Sequence, residues 1–480
     1  MDKLRQKRKD KMASGRELAS GRAVTSKEAI SKQQKDNKHK KAVLKGSSRE
    51  ENEHKGDPSA PDADAEIKEI ASRLNHHQWY HGMMPRDEIE DLLKNDGDFL
   101  LRKTDVSKKP RIAISVCYNK RIRHILLTHH DNMWSVRSVK KASVEELVEH
   151  HLKEKIPVQS DGTTIQNPIP RPDFYILHDH LTIGPKLGGG AYADVHKGVL
   201  RKGGESIDVA IKKCKGNIKK KQRIEFVKEA RIMRRFNHRN VVKVIGVAPQ
   251  EEPILIILEL CPGGALSSFL KRQKSLPEDK LAGFVKDACR GLCYLSMRKI
   301  IHRDVAARNC LLSKENEAKI SDFGLSVSTK ELKLDRLNKM PVRWLAPETF
   351  RNGLFTTKTD VWSFGIMMWE IYSYCKTDPF PELSNADAKA RILSGKNPME
   401  PPKGMPVNMQ SFMRLCFTQN PEARPTFENL LRTLCPNEQP PEPENEDFLK
   451  ELEKFKKEAE ESTSKASGMN SFPSNRPSAR

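Results

Sequence analysis

Hydrophobic positions are distributed very unevenly along the chain. Residues 1–78 contain no Phe, Tyr or Trp and are rich in Lys, Ser, Asp and Glu. A stretch so poor in large apolar groups cannot offset the entropy of ordering itself, so a disordered arm is expected there. Trp79 opens the first globular unit, and strand-like and helix-like runs continue to residue 170. Pro168, Pro170 and Pro172 then mark a linker, taken as 171–180. A larger unit follows over 181–435. Within it Val209-Ala210-Ile211 reads as a buried strand ending in Lys212, and residues 224–236 carry a helical pattern. A Pro- and Glu-rich stretch, an amphipathic pattern over 446–461 and a Ser-rich basic end form a tail over 436–480. No internal repeat is present.

The length of 480 residues suits two to four domains, and 36% hydrophobic against 31% charged residues is polar for a purely globular chain. The net charge of +22 is concentrated toward the start: residues 1–45 hold fifteen Lys/Arg against five Asp/Glu, a net +10. The run Lys7-Arg8-Lys9-Asp10-Lys11 suits an anionic membrane surface, RNA or an import receptor, and equally suits a solvated basic arm. With no aromatic residue for base stacking, specific nucleic-acid binding by the arm is not expected. The nine cysteines form no metal-ligand spacing and are odd in number, which points to a reduced, cytoplasmic chain; the membrane periphery and the nucleus stay open. No apolar run is long enough for a membrane span or secretory leader, and with Asp2 rather than Gly after Met1 no myristoylation is expected.

Candidate chemistry concentrates in the larger unit. Phosphoryl transfer needs a phosphate cradle, a cation for the phosphates, metal ligands and a group that orients the incoming hydroxyl. Leu187-Gly188-Gly189-Gly190-Ala191-Tyr192-Ala193-Asp194-Val195 supplies a glycine-rich turn whose backbone N–H groups can approach phosphates. Gly188 and Gly190 fit the pattern G-x-G-x-x-G; Ala193 replaces its third glycine. Lys212 has a candidate partner in Glu229 on the helical pattern. In Ile301-His302-Arg303-Asp304-Val305-Ala306-Ala307-Arg308-Asn309, Asp304 would accept or orient the hydroxyl proton and Asn309 would hold a metal ion. Asp322 of Asp322-Phe323-Gly324 would hold Mg²⁺. Singly each has a structural alternative; together, in this order and spacing, they point to one site.

On these motifs, residues 181–435 resemble a eukaryotic protein kinase of the tyrosine branch. Ala306-Ala307-Arg308-Asn309 and Pro341-Val342-Arg343-Trp344 are similar to the tyrosine-kinase catalytic loop and substrate platform. The resemblance implies a bilobal fold, ATP and Mg²⁺ as cofactors, and a tyrosine phenol received by Asp304, Arg308 and Pro341. It implies an ATP site that includes Leu187, Gly188, Gly190, Val195, Ala210, Lys212 and the hinge residues Glu259 and Cys261, with Leu258 as gatekeeper. It also implies a buried pair between Glu348 and Arg424, and a central helix starting at Asp360.

The smaller unit resembles an SH2 domain. Its Trp79-Tyr80-His81-Gly82 opening leads to Phe99-Leu100-Leu101-Arg102, where the strand arginine of that family grips phosphotyrosine. Arg86, Thr104 and His124 match further phosphate contacts, Leu126 stands where a Lys is common, and Ile125 implies a taste for an apolar residue after the phosphotyrosine. The combined fold is α+β: a central antiparallel sheet flanked by two helices, then the bilobal domain. An SH2 domain joined directly to a tyrosine kinase is similar to the Fes/Fer family; the membrane-bending domain of that family is expected to be missing, with only the basic arm in its place.

The activation segment is unusual. No tyrosine lies between Asp322 and Glu348, where related kinases carry one whose phosphate pairs with the arginine beside the catalytic Asp. The expectation is that Glu331 or Asp335 neutralises Arg303, or that a phosphorylated Ser326, Ser328 or Thr329 does. Two readings follow: an active tyrosine kinase recruited to phosphotyrosine proteins, favoured by the complete phosphoryl-transfer set, and a pseudokinase adaptor.

Overall fold

The computed structural model describes residues 63–106, 109–190, 193–215, 220–337 and 340–442. The first element among the described residues is helix α1 (Ala63–Leu74). Ile67, Ile70, Ala71 and Leu74 fall on one face and are buried with Tyr80, Phe99 and Trp134. This corrects the expected arm: its last residues are part of the SH2 core. Absence of aromatics was a poor guide, because four aliphatic side chains at helical spacing suffice once a sheet is there to receive them. Residues 1–62, including the Lys7–Lys11 run, lie outside the described residues.

Helix α2 (Arg86–Glu90) follows Pro85. Strands β1 (Asp98–Val106), β2 (Lys109–Tyr118) and β3 (Arg121–Leu126) form an antiparallel sheet that continues to β4 (Thr128–His130), β5 (Met133–Val136) and β6 (Val139–Lys141), a second small sheet. Helix α3 (Val144–Glu154) is capped by Ser143, whose hydroxyl accepts the Glu146 N–H at 3.1 Å. Strand β7 (Asn167–Pro168) then joins β1 in parallel. Alternation along β1 sorts its side chains: Phe99 and Leu101 face α1, while Leu100 packs with Ile89 and Leu93 on the α2 side. Arg102 therefore shares the α2 face.

The expected linker is built into both neighbours. Arg171 hydrogen-bonds back to Gln78, and Ile176 N–H reaches Val247 O at 2.9 Å, adding residues 174–176 to the edge of the kinase sheet. That sheet has the order β11-β12-β10-β9-β8, from β8 (Leu181–Gly189), β9 (Ala193–Lys202), β10 (Glu205–Cys214), β11 (Val244–Ala248) and β12 (Leu255–Glu259). Helix α4 (Lys220–Met233) crosses between β10 and β11.

The SH2 domain and α4 share one hydrophobic cluster, in which Met83 and Met84 join Phe226 and Val227. Arg231 on α4 meets Asp87 at 3.2 Å, Glu88 at 3.2 Å and Asp91 at 2.8 Å. Met83 N–H donates to Pro249 O at 2.7 Å. At Gly82 (φ +66°) a Cβ would lie 2.4 Å from Gln250 Cα, so only glycine permits this approach.

The large lobe comprises β13 (Gly264–Ala265), α5 (Leu266–Arg272), α6 (Glu278–Met297), β14 (Ile300–Ile301), β15 (Cys310–Leu312), β16 (Ala318–Ile320), β17 (Val327–Ser328), β18 (Glu331–Lys333), α7 (Pro347–Asn352), β19 (Leu354–Thr356), α8 (Thr357–Tyr372), α9 (Asn385–Leu393), α10 (Val407–Cys416) and α11 (Phe427–Leu434). Helix α8 is buried on every side from Thr359 onward, which makes it the axis of the lobe. Beyond α11, Glu438 accepts two hydrogen bonds from Arg290 on α6, at 2.6 and 2.8 Å, so the start of the tail is fastened. The rest of the tail, with the 446–461 pattern, lies outside the described residues. All nine cysteines are free and buried. Among the described residues no helix is long and apolar enough to cross a membrane.

Candidate functional site

On β10, Val209 and Ile211 point into the sheet's outer core, which leaves Ala210 and Lys212 on the cleft side. The Lys212 ammonium lies 2.6 and 2.8 Å from the Glu229 carboxylate oxygens and 3.9 Å from Asp322 Oδ1. Burial works against this ammonium, but the Glu229 and Asp322 carboxylates outweigh it and hold Lys212 above its ordinary pKa. Val195 pairs with Lys212 across the strands, Ala210 with Leu258, and Val209 with Glu259. The Glu259 carboxylate is taken up by Lys319 at 2.9 Å and by Lys243 N–H at 2.7 Å, so only its backbone faces the cleft chemistry; Cys261 is buried just beyond.

The glycine-rich turn has one surprise. A Cβ at Gly188 or Gly190 would meet nothing within 4 Å, whereas at Gly189 it would sit 2.2 Å from Asp194 Oδ1. The constrained glycine is thus the middle one. Asp194 ion-pairs with Lys186 at 2.9 Å, and Lys215 donates to Gly190 O at 2.7 Å, a set of ties that holds the turn from behind. Leu187 is 56% exposed at the rim. Ala193 is buried opposite Cys214, so its methyl group occupies strand core rather than phosphate space.

The loop after β14 brings the remaining residues together. Asn309 Nδ2 donates to both Asp304 Oδ2 and Asp304 O, at 2.7 and 2.8 Å, and Arg308 donates to Asp304 Oδ1. Pairing of β15 with β16 sets Asn309 beside Ser321, whose N–H donates to Asn309 O at 2.8 Å, and so brings Asp322 next to Asn309. His302 donates from Nε2 to Ser321 O at 3.0 Å and accepts the Asp304 N–H at Nδ1. Phe323 is buried between the rings of His302 and Phe236, at 5.1 and 5.0 Å, tying the segment to the turn that follows α4. Asp322 (φ +61°) and Arg303 (φ +71°) hold left-handed backbone that non-glycine residues seldom adopt.

Two supporting carboxylates were not assigned a role from sequence. Asp360 on α8 accepts the N–H groups of His302 and Arg303 at 2.7 and 2.9 Å; burial pushes its pKa up to about 6. Glu370, one helix span further, accepts Ala307 N–H at 2.9 Å and Trp344 Nε1–H at 3.2 Å; burial pushes it up to about 7. Trp344 in turn lies 4.4 Å from the Arg308 guanidinium, so Glu370 positions Arg308 through the ring. Behind Pro341, Arg343 donates to the carbonyls of Pro379, Phe380 and Leu383 at 2.7, 2.9 and 2.5 Å. Arg424 meets Glu348 at 2.7 and 3.1 Å, both buried, as expected.

Neither acidic residue expected to neutralise Arg303 does so. Its guanidinium donates to Leu325 O at 2.8 Å and lies 4.7 Å from the Phe355 ring. Glu331 is exposed in β18, paired with Thr356, and neither it nor Asp335 meets Arg303. A carbonyl and an aromatic face take the place of an anion. Of the three hydroxyls, Ser326 is buried and donates to His302 O, and Ser328 Oγ is 3.4 Å from Arg235 rather than Arg303.

In the SH2 domain Arg102 is 3% exposed, and Nε donates to Ser115 Oγ at 3.3 Å. Ser115 Oγ lies 2.9 Å from His124 Nδ1, and His124 Nε2 donates to Glu90 at 2.8 Å. This relay fixes the Arg102 plane and leaves its two Nη groups for a ligand. Burial, then repulsion from nearby Arg86, pushes the Arg102 pKa down to about 10, a buried cation poised for an anion. His124 is therefore spent on holding Arg102. Arg102, Arg86, Thr104 and His124 line one cavity of about 470 Å³. Ile125 points to the opposite face and packs on the Trp134 cluster.

Among the described residues no three His, Cys, Asp or Glu side chains cluster as a metal site. Asp322 and Asn309 suit Mg²⁺ nonetheless, because that ion takes one or two protein oxygens and completes its shell with substrate phosphates and water.

Comparison with known proteins agrees with this geometry. Residues 181–434 match the family model for protein tyrosine and serine/threonine kinases, and residues 79–151 match the SH2 domain. The chain is 40% identical over 372 residues to Fer-related kinase 1 of Caenorhabditis elegans, a match covering 76% of this chain and 95% of that protein. It is 36% identical over 366 residues to tyrosine-protein kinase Fer of Rattus norvegicus, covering 75% of this chain but 44% of that protein. The transforming protein Fps of avian sarcoma virus (strain PRCII) is 33% identical, with 68% of its length covered. The chain belongs to the Fer/Fes family of non-receptor protein-tyrosine kinases, with an SH2 domain directly before the kinase domain.

Proposed function

We propose that this protein is a catalytically active kinase that transfers the γ-phosphoryl group of ATP to tyrosine in intracellular partners, and that its SH2 domain brings it to proteins already bearing phosphotyrosine. The observation that carries the reading is the joining of Lys212, Glu229 and Asp322 in one ion-paired group, with Asn309 beside Asp322 and bonded to Asp304. Lys212, held by Glu229, binds the α- and β-phosphates. Leu187, Gly188, Gly190, Val195 and Ala210 enclose the nucleotide, and the backbone of Glu259 and Cys261 meets the adenine. Asp322 and Asn309 would hold Mg²⁺, which when bound neutralises charge on the β- and γ-phosphates. Asp304 orients the phenol and takes up its proton, while Arg308 steadies Asp304 and reaches toward the transferred phosphate. Pro341 supports the tyrosine ring. In the SH2 domain Arg102 takes the phosphate by a bidentate contact, with Arg86 and Thr104 at its edge. The net charge of the basic arm suits an anionic membrane surface as its partner.

Incubation of the full chain with Mg-ATP and a Glu/Tyr copolymer, beside Asp304→Asn, tests this. Label on tyrosine from the wild type, and a loss of about 10²–10⁴-fold in the variant, is expected. Equal absence of label from both proteins would establish the adaptor reading instead.

A further inference from the structure

The cavity around Arg102 does not stop at the edge of the SH2 domain. Beside the cationic residues it is lined by Met83, Leu126 and Val106, and by Ile224 and Val227 of kinase helix α4. Val227 belongs to the same buried cluster as Met83 and Met84, so the kinase helix is fixed against the cavity floor. At the rim, Val106 is 40% and Leu126 44% exposed, two large aliphatic side chains left open to solvent. A phosphate dianion gains nothing from such a wall: its partners are Arg102, Arg86 and Thr104. The phenyl ring of a phosphotyrosine covers only part of an aliphatic wall that includes Leu126, Val106 and Ile224 in a cavity of about 470 Å³, and the rest suits a second apolar group carried by the same ligand.

We propose that this aliphatic wall is a second subsite, shared between the SH2 domain and α4, which receives a large apolar side chain next to the phosphotyrosine of the bound partner. The proposal rests on Arg102 being the phosphotyrosine site. It makes a residue of the kinase domain, Ile224, a determinant of what the SH2 domain selects. The ligand class is a phosphotyrosine peptide with Leu, Ile, Met or Phe at a flanking position. Ile224 suits the role because it is only half-buried and so keeps apolar surface for a ligand, whereas Val227 is closed off behind it.

Fluorescence anisotropy on the full chain tests the proposal, with labelled phosphotyrosine peptides carrying Leu or Gly at each of the two positions on either side. Leu at one flanking position should bind about fivefold or more tighter than Gly, as partial burial of one aliphatic side chain implies. In Ile224→Ser this preference should fall below about twofold, while the Gly-flanked peptide keeps its affinity and thereby reports an intact phosphate pocket. Leu126→Ser, at the exposed rim, should reduce the preference independently. A Leu/Gly ratio unchanged in Ile224→Ser, or no ratio above about twofold at any position, overturns the shared subsite. Equal binding of phosphorylated and unphosphorylated peptides would overturn the phosphotyrosine reading beneath it, an outcome distinct from the first two.

Discussion

At the scale of single residues the molecule repeatedly places one charged group under the control of several neutral ones. Arg424 is the clearest case. Fully buried, it meets Glu348 and also donates to Thr418 O at 2.9 Å and Lys358 O at 2.7 Å. Glu348→Gln leaves that guanidinium without its counter-charge in a low-dielectric interior. A loss of about 3–5 kcal/mol in unfolding free energy is expected by denaturant titration. The SH2 arginine is held by the Ser115–His124–Glu90 relay in a comparable way. Arg102→Lys keeps the charge but not the planar fork, so phosphopeptide affinity should fall by at least about tenfold in an anisotropy titration. Sequence reading could single out Arg102, Lys212, Asp304, Asn309 and Asp322 as candidates because such residues recur in fixed local patterns. It could not assign Asp360 or Glu370 their supporting roles: each acts on a loop over fifty residues distant, and nothing local to either marks the buried N–H groups it receives. The partners of Arg303 were misjudged for the same reason, since the Phe355 ring reaches it from a distant strand.

At the scale of elements, helix α4 is the piece on which both sites depend. It carries Glu229 toward Lys212, presents Ile224 and Val227 to the SH2 cavity, and is anchored to α2 by Arg231. Three carboxylates converge on Arg231, two from the five-residue helix α2 and the third from Asp91 at its C-cap, and Phe226 and Val227 share the hydrophobic cluster beside them. Arg231→Glu would set four acidic groups against one another and push α4 away from the SH2 domain. Displacement of Glu229 then misplaces the Lys212 ammonium, and a fall of about tenfold in kcat on the Glu/Tyr copolymer is expected. Combining Arg231→Glu with Asp91→Arg should recover part of that loss; no recovery would show that local helix disruption, not the junction, caused it. Both domains were legible as separate units, through glycine, proline and alternation signals along each strand. Their union was not, because a hydrophobic face on a helix does not say which surface covers it. Helix α1 makes the same point: Ile67, Ile70 and Leu74 have helical spacing, but only the sheet beside them gives that spacing value.

For the whole molecule, the SH2 domain, linker and small lobe form a continuous packed body, and His81 sits at its seam. Its ring is fully buried, donates from Nε2 to Ile169 O at 3.0 Å, and meets Tyr175 of the linker edge-on at 5.7 Å. Burial pushes the His81 pKa down from 6.5 to about 4, the Ile169 carbonyl opposing that shift only in part. The folded protein thus binds fewer protons here than the unfolded chain, for which 6.5 applies. Stability contributed by neutral His81 is complete above pH 6.5, is lost progressively as pH falls through that value, and stops declining below about pH 4. A displacement of that size corresponds to on the order of 3 kcal/mol. The acidic junction works in the opposite sense: burial pushes Glu88 up to about 7, so its contribution is present at low pH and is lost as pH rises toward neutrality. The two are separable by mutation. His81→Gln retains a side-chain donor for Ile169 O yet cannot take a proton. Its thermal midpoint should lie below that of the wild type at pH 7.5 and approach or overtake it at pH 5, where the wild type carries the cost of charging a buried imidazole. Parallel midpoint curves for the two proteins between pH 7.5 and 5 would mean that His81 does not govern the seam.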